Sequence, residues 1–420
     1  MSDRRDPQQA VPGETGPAPS PTPQASPRDP RPARLRPAGP LGAAIGVLVL
    51  AALPFLLPSS WLQTGLFAMA AAIGAIGLTL LSGTAGQLSL GHSFFLAVGA
   101  YGYVWASAEP GPDAAGLGLP PPAAMVVAVL LAGLAGGLFS PISGRLRGMY
   151  LGVATLALVF IGHHVMLRLD SVTGGYNGRS VPPMEIGGFG FTADDPAGLL
   201  VLGTPFGAVE RLWYLGLVLV ILAWLVARNL LRGRPGRAMG AVRDSEIAAS
   251  VLGVPVAAHR SAAFVVSSMY AGLAGVLIAL AFRRIVPDYF GLALAVDYLA
   301  MIVIGGLGSV GGAVLGAVFV TMLPQLLTQY AEALPLVVPP GVVAPGVTPA
   351  ELSRYLYGAA IVLVLLFARD GLIGLFRRLR PSHRPAAPAD VAADRPPPPA
   401  APDRPQHSTA PTATPKEPTP

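Results

Sequence analysis

The chain has no cysteine and a single lysine, Lys416, close to its last residue. Without thiols there is no disulfide framework, no thiolate metal site and no cysteine nucleophile. A Walker A loop needs a lysine to reach the phosphates, and Schiff-base catalysis needs one near a pocket, so neither can be built here. If ATP drives this molecule, the ATPase is another polypeptide. Charge is scarce as well: 12% of the 420 residues are charged and 52% are hydrophobic, whereas soluble domains carry roughly a quarter charged residues. That is too little charge to coat a water-soluble surface of this size. The formal net charge of +6 does not mark a nucleic-acid groove. It comes from arginines at the edges of apolar runs, where a membrane-flanking role accounts for them.

What the chain does have is long apolar runs. A bilayer core takes about 20 apolar residues in a helix, and such runs begin near Leu41, Trp61, Leu88, Pro122, Met149, Leu212, Ser261, Ala293, Val310 and Leu352. The expected fold is an all-α integral membrane protein, a polytopic bundle of about ten transmembrane helices over residues 41 to 375. The eighth and ninth runs are short and separated only by the glycine-rich residues 305 to 312, so eight or nine spans also fit. Residues 1 to 40 and 376 to 420 are rich in proline and too polar to offset ordering entropy by burial. Both are expected to be disordered tails. The first does not resemble a cleaved signal peptide, because the apolar run behind its Arg-Pro stretch is about a full span long.

Arginine placement sets an orientation, since cytoplasmic loops are richer in it. With Arg31, Arg34 and Arg36 inside, ten spans also put Arg145, Arg147, Arg228, Arg232, Arg234, Arg237, Arg243, Arg377, Arg378 and Arg380 inside. Both termini are then cytoplasmic. Arg168, Arg179, Arg283 and Arg284 are the exceptions. Two loops are long enough to matter, an outer one over residues 169 to 211 and an inner one over 229 to 260.

In the inner loop, Met239, Val242, Ala249 and Leu252 recur at helical spacing beside Arg243, Asp244 and Glu246. Gly253 is placed to stop the helix in the left-handed conformation. The expectation is a short amphipathic helix whose small residues Ala248 and Ala249 let it sit closely in a cleft of another protein. An interfacial helix lying on the membrane has the same periodicity.

The stretch from Glu246 to Gly253 resembles the Glu-x-Ala-Ala-x-x-x-Gly loop of ABC-importer permeases. Three further stretches are similar to the branched-chain amino-acid permeases of the LivM type. They are Gly83-Thr84-Ala85-Gly86-Gln87-Leu88-Ser89-Leu90-Gly91-His92-Ser93, then Leu146-Arg147-Gly148-Met149-Tyr150 with Thr155-Leu156-Ala157 and the outer Thr173-Gly174-Gly175, then Gly305-Gly306-Leu307-Gly308-Ser309 with Gly316-Ala317. The resemblance is collinear over residues 41 to about 375. It departs where Gly311-Gly312-Ala313 replaces the family's frequent Trp-Gly-Pro and where Ala295 replaces a usual serine.

The resemblance implies a non-catalytic subunit in a bacterial inner membrane, importing leucine, isoleucine and valine, with urea, short amides and other amino acids as alternatives among relatives. It implies a second permease subunit of the LivH type, two cytoplasmic ATP-binding subunits and an extracytoplasmic substrate-binding protein as partners. The inner-loop residues Arg237, Arg243, Glu246, Ala248, Ala249 and Gly253 would then form the coupling helix that docks on an ATPase.

Polar groups in hydrocarbon need partners or water, so Gln87, Ser89, His92 and Ser93, at the head of the third span, and Thr155 are candidates for the translocation path; interhelical hydrogen bonding is the alternative. Asp297, the one acid deep in an apolar run, either meets a substrate ammonium or pairs with an arginine or a tyrosine hydroxyl. An ion-coupled secondary transporter predicts several such acids or an inverted repeat, and neither is evident. Phe94 stands where the serine motif of an intramembrane protease needs its second glycine. No metal or cofactor site is expected, because the adjacent His163 and His164 cannot share a helix face. The Gly306-Leu307-Gly308-Ser309-Val310-Gly311 match to a dinucleotide fingerprint lacks the required strand and soluble α/β unit. A broken helix at a close packing point explains its glycines better, as does helix packing for Gly133 with Gly137 and Gly312 with Gly316.

Overall fold

The computed structural model describes residues 40–111, 115–146, 148–191, 200–201, 204–331, 337, 346–367 and 371–374. The two tails and Arg147 lie outside the described residues. The helices are α1 (Pro40–Ala52), α2 (Ser59–Leu78), α3 (His92–Ser107), α4 (Pro121–Arg145), α5 (Met149–Arg168), the single turn α6 (Asp170–Thr173), α7 (Ala208–Arg232), α8 (Arg234–Asp244), α9 (Glu246–Val251), α10 (Val256–Phe282), α11 (Leu292–Gly305), α12 (Val310–Gln329) and α13 (Pro349–Phe367). Each expected apolar run has a helix at or near its start. Among the described residues, seven helices are long and apolar enough to cross a membrane; α1 is shorter and α3 is 16 residues long. The chain is an all-α polytopic membrane protein.

Two helices form the core. The apolar stretch of α2 is 89% buried and that of α10 is 78% buried, against 28 to 44% for the other membrane-length helices. Their sequences show why: both are apolar all round, as a helix without a solvent face must be. α10 packs against α4, α3 and α2, while α12 and α7 flank α2. Glycine permits the closest of these contacts. A Cβ on Gly275 would collide with the Leu96 carbonyl, and one on Gly99 with Gly272, so α3 and α10 meet backbone to backbone. The expected packing role holds for Gly133 against Met269 and for Gly312 and Gly316 against α11.

The fingerprint-like glycines make the hairpin between α11 and α12. Gly306 and Gly308 have φ of 115° and 80°, and Ser309 caps α12 by accepting from the Gly312 amide at 3.2 Å. The loop over residues 169 to 211 is closed against the segment that follows α10. The strands Arg179–Ser180 and Arg284–Ile285 pair antiparallel. Arg179 donates to the carbonyls of Ala115, Ser171 and Val172, and Arg284 donates to that of Asn177. Both of these exceptions to the arginine pattern satisfy loop carbonyls. His163, excluded as half of a metal pair, meets Asp288 at 2.9 Å.

Candidate functional site

Below Leu78 the α2 helix widens into a π-turn over Thr79–Thr84, and residues 85 to 91 then run without helix until α3 begins at His92. Irregular backbone at membrane depth persists only where protein or cavity water satisfies it. Side chains do so here. The Leu90 amide donates to Thr155 Oγ1 at 2.9 Å, and that hydroxyl donates to the Gly152 carbonyl at 2.9 Å. Gln87 Nε2 donates to the Arg260 carbonyl at 2.9 Å, and Ser82 Oγ to the Gln87 carbonyl at 3.0 Å.

The third helix thus starts later than the apolar run does, and Gln87 and Ser89 lie in the unwound connection instead of in that helix. Gly86, at φ +69°, turns the chain where periodicity alone continues it. His92 and Ser93 open α3, and Thr155 props the connection from α5. All five side chains are buried.

Several buried polar atoms in this part of the bundle have no hydrogen-bond partner among the described residues. They are Thr79 Oγ1, Gln87 Oε1, His92 Nε2, Ser93 Oγ, Ser267 Oγ and Tyr298 Oη. A buried unpaired polar group costs about 1 to 3 kcal/mol, so a cluster of them is disfavoured unless water or solute reaches it in some state of the protein. The His92 and Tyr298 rings meet edge-on with centroids 5.0 Å apart.

Beside Tyr298 lies a cavity of about 650 Å³ between α2, α10, α11, α12 and α13. On α2 it is lined by Ser60, Gln63, Thr64, Phe67 and Ala71, which share one helix face. Thr321 and Gln325 of α12 face them across the space. Asp297 is in its wall, half-buried, with no hydrogen bond or ion pair among the described residues. Of the expected pairings, Arg354 acts on Asp297 electrostatically from beyond ion-pair distance. Asp297 lies with the cavity, apart from Gln87, Ser89 and Thr155, and its neighbour Tyr298 connects the two regions.

The loop over residues 229 to 260 holds two helices after α7, not one. α8 ends at Asp244, and Ser245 leaves helical geometry to cap α9, accepting from the Ala248 amide at 3.2 Å. Ser245 followed by Glu246 is an N-terminal signal that outcompetes continuation of the helix. Met239, Val242 and Ala249 are buried as expected, but Leu252 is 78% exposed, because the break rotates α9. Ile247 and Val251 point outward with it. Gly253, at φ +80°, ends α9: its amide donates to Ser250 and the Val254 amide to Ala249, a Schellman closure.

Three charged residues tie this loop to the bundle. Arg237 Nη1 donates to the last-turn carbonyl of Arg232 at 3.0 Å, Arg243 Nη1 to the Gly83 carbonyl at 2.6 Å, and Glu246 pairs with the buried Arg260 at 3.2 Å. Arg260 also donates to the Leu146 carbonyl at 2.9 Å. Ala248 is exposed beside Ile247.

The family model described as "Branched-chain amino acid transport system / permease component" matches residues 61–365, which takes in the unwound connection, all of the cavity lining but Ser60, and the tied loop. The chain belongs to this family. The permease is 29% identical over 343 residues to the high-affinity branched-chain amino acid transport system permease protein LivM of Escherichia coli, covering 79% of this chain and 75% of that protein. It is 26% identical over 263 residues to a probable branched-chain amino acid transport permease protein LivM of Methanocaldococcus jannaschii, covering 60% and 67%. It is also 30% identical over 193 residues to an Escherichia coli autoinducer 2 import system permease protein, LsrC, covering 44% and 50%. No solved structure gives a significant match.

Sequence reading missed the cavity and the Arg260 anchor. The signal for the first was present: Ser60, Gln63 and Thr64 recur at helical spacing in an otherwise apolar span. Arg260 carried none, since its partners Glu246, Leu146 and Gln87 come from three separate parts of the chain.

Proposed function

We propose that this permease forms half of the translocation path of an ABC importer for branched-chain amino acids in a bacterial inner membrane. A second permease subunit completes the path, an extracytoplasmic binding protein delivers the solute, and two cytoplasmic ATPases supply the energy. The substrate class follows the relatives that match over three-quarters of their length. In this reading all ten long or apolar helices cross the bilayer, and both termini and the α8–α9 loop are cytoplasmic.

The observation that carries the reading is the two-sided character of α8 and α9. One side is fastened to the bundle through Arg243, Glu246 and the buried Met239, Val242 and Ala249; the other presents Ile247, Ala248, Val251 and Leu252 outward. A helix pair held on one face and apolar on the other transmits a rigid-body push from a docked ATPase. ATP shifts the equilibrium only as far as it binds the two states differently. Gln87, Ser89, His92, Ser93 and Thr155 serve as the inner part of the path, and Asp297 as the acid of its cavity.

The test is uptake into membrane vesicles that contain the whole importer. ATP-dependent accumulation of leucine that survives an ionophore supports the proposal. Accumulation that collapses with the ion gradient means a secondary transporter and overturns it.

A further inference from the structure

Resting on that reading, we propose that the cavity bounded by Gln63, Thr64, Asp297, Tyr298 and Tyr357 is a binding site for a primary ammonium carried on an apolar side chain, the chemistry of an aliphatic amino acid.

Among the described residues, Asp297 is the only carboxylic acid that lines the cavity, and no arginine lines it. Arg354 on α13 lies near enough to act on Asp297 electrostatically, but it forms no ion pair with it within 4.0 Å. A lone carboxylate in hydrocarbon is disfavoured and marks a place where a counter-charge arrives. A free anion meets the Asp297 carboxylate, with Arg354 outside the lining, and a neutral amide has no need of the acid. An ammonium fits: it forms a charge-assisted hydrogen bond with the carboxylate.

The walls complete the match. Phe67, Tyr298 and Tyr357 line the space, and aromatic rings attract a cation at their faces and pack against aliphatic chains. The carboxylate of a zwitterion is left to the amide groups of Gln63 and Gln325, which face the cavity from α2 and α12. The volume of about 650 Å³ is in the range of small-molecule sites, roughly 300 to 1,000 Å³. Along α2 the lining runs from Ser60 to Ala71, about 16 Å of helix axis, so the site reaches toward the bilayer centre. Tyr298 forms its inner side and touches His92, the first of the unpartnered polar groups beyond it.

Absence of cysteine makes the site addressable. In the complete importer, Ser60→Cys, at the exposed end of the lining, gives this chain a single thiol, whose rate of reaction with a methanethiosulfonate reagent reports occupancy. Four probes share the 3-methylbutyl chain: leucine, 3-methylbutylamine, 4-methylpentanoate and 4-methylpentanamide. Leucine and the amine are expected to slow labelling, and the acid and amide are not. Adding Asp297→Asn is expected to raise the protecting concentration roughly tenfold or more, as loss of a charge-assisted hydrogen bond implies. Equal protection by the acid or the amide overturns the proposal, as does protection by none of the four, the outcome if a lipid chain fills the cavity. The probe series uses the native Asp297, so it decides the matter even if the Asn variant fails to reach the membrane. Normal ATP-driven leucine uptake with no protection removes the site and leaves the importer reading intact. Protection by the amine without leucine uptake does the reverse.

Discussion

Arg243 Nη1 donates to the carbonyl of Gly83 at 2.6 Å, across 160 positions of sequence. The acceptor lies in the π-turn where α2 unwinds, and the donor lies at the end of α8, so the α8–α9 loop holds the irregular backbone that precedes α3. Gly83 in turn packs against Gly308, where a Cβ would collide with backbone, which brings the α11–α12 hairpin to the same point. A movement of the loop therefore acts on two breaks in the bundle at once. Arg243→Ala removes a hydrogen bond from a charged donor, about 1.5 to 3 kcal/mol. The expected outcome is a permease that still co-purifies with its ATPases but transports at least tenfold more slowly, with ATP hydrolysis no longer stimulated by substrate. Unchanged, substrate-stimulated transport in reconstituted vesicles rules out this linkage.

Glu246 and Gly253 hold α9 from its two ends and fail in different ways. Gly253→Val forces a β-branched residue to φ +80°, a strain of about 1 to 3 kcal/mol, and unravels the Schellman closure. Glu246→Ala leaves the buried Arg260 with its backbone partner but without this carboxylate. Both variants are expected to insert at normal abundance and to lose ATPase docking, measured by co-purification. If both transport normally, the coupling role of α9 is wrong.

How much of this was legible in the sequence depends on the range of the interaction. Apolar runs and local stops are written in neighbouring residues, so the helix starts and the Gly253 stop were readable. The break at Ser245 was also local, but an apolar stripe read across it hid the cap, and Leu252 was assigned to the wrong face. The Gly83–Arg243 and Glu246–Arg260 contacts join segments that only the folded bundle brings together. Asp297 stood out as an acid in an apolar run, while its place in a cavity depended on where α2 and α12 pack.

Orientation is open to a direct test, because a cysteine-free chain accepts single reporter thiols. Tyr176, in the outer loop, is 79% exposed, and Val251, on α9, is 81% exposed. In intact cells a membrane-impermeant maleimide is expected to label Tyr176→Cys and to spare Val251→Cys, which reacts only after permeabilisation. The opposite pattern inverts the topology and with it the cytoplasmic placement of the coupling loop.

The contact of α3 with α10 sets a separate expectation, one about stability. A Cβ at Gly275 would collide with the Leu96 carbonyl, and both helices are held on their other sides, α3 by α4 and α10 by α4 and α2. Neither can retreat without opening the core. Overpacking a tight interior costs about 1 to 3 kcal/mol when neighbours can shift, and here the obstruction is backbone. Gly275→Leu is therefore expected to lower the midpoint of thermal aggregation in detergent by several degrees and to reduce abundance in the membrane. Gly240→Ala serves as the control, since nothing lies within 4 Å of its added Cβ and alanine favours the helix by roughly 1 kcal/mol. If the two substitutions behave alike, the backbone approach of α3 and α10 is not what holds the core together.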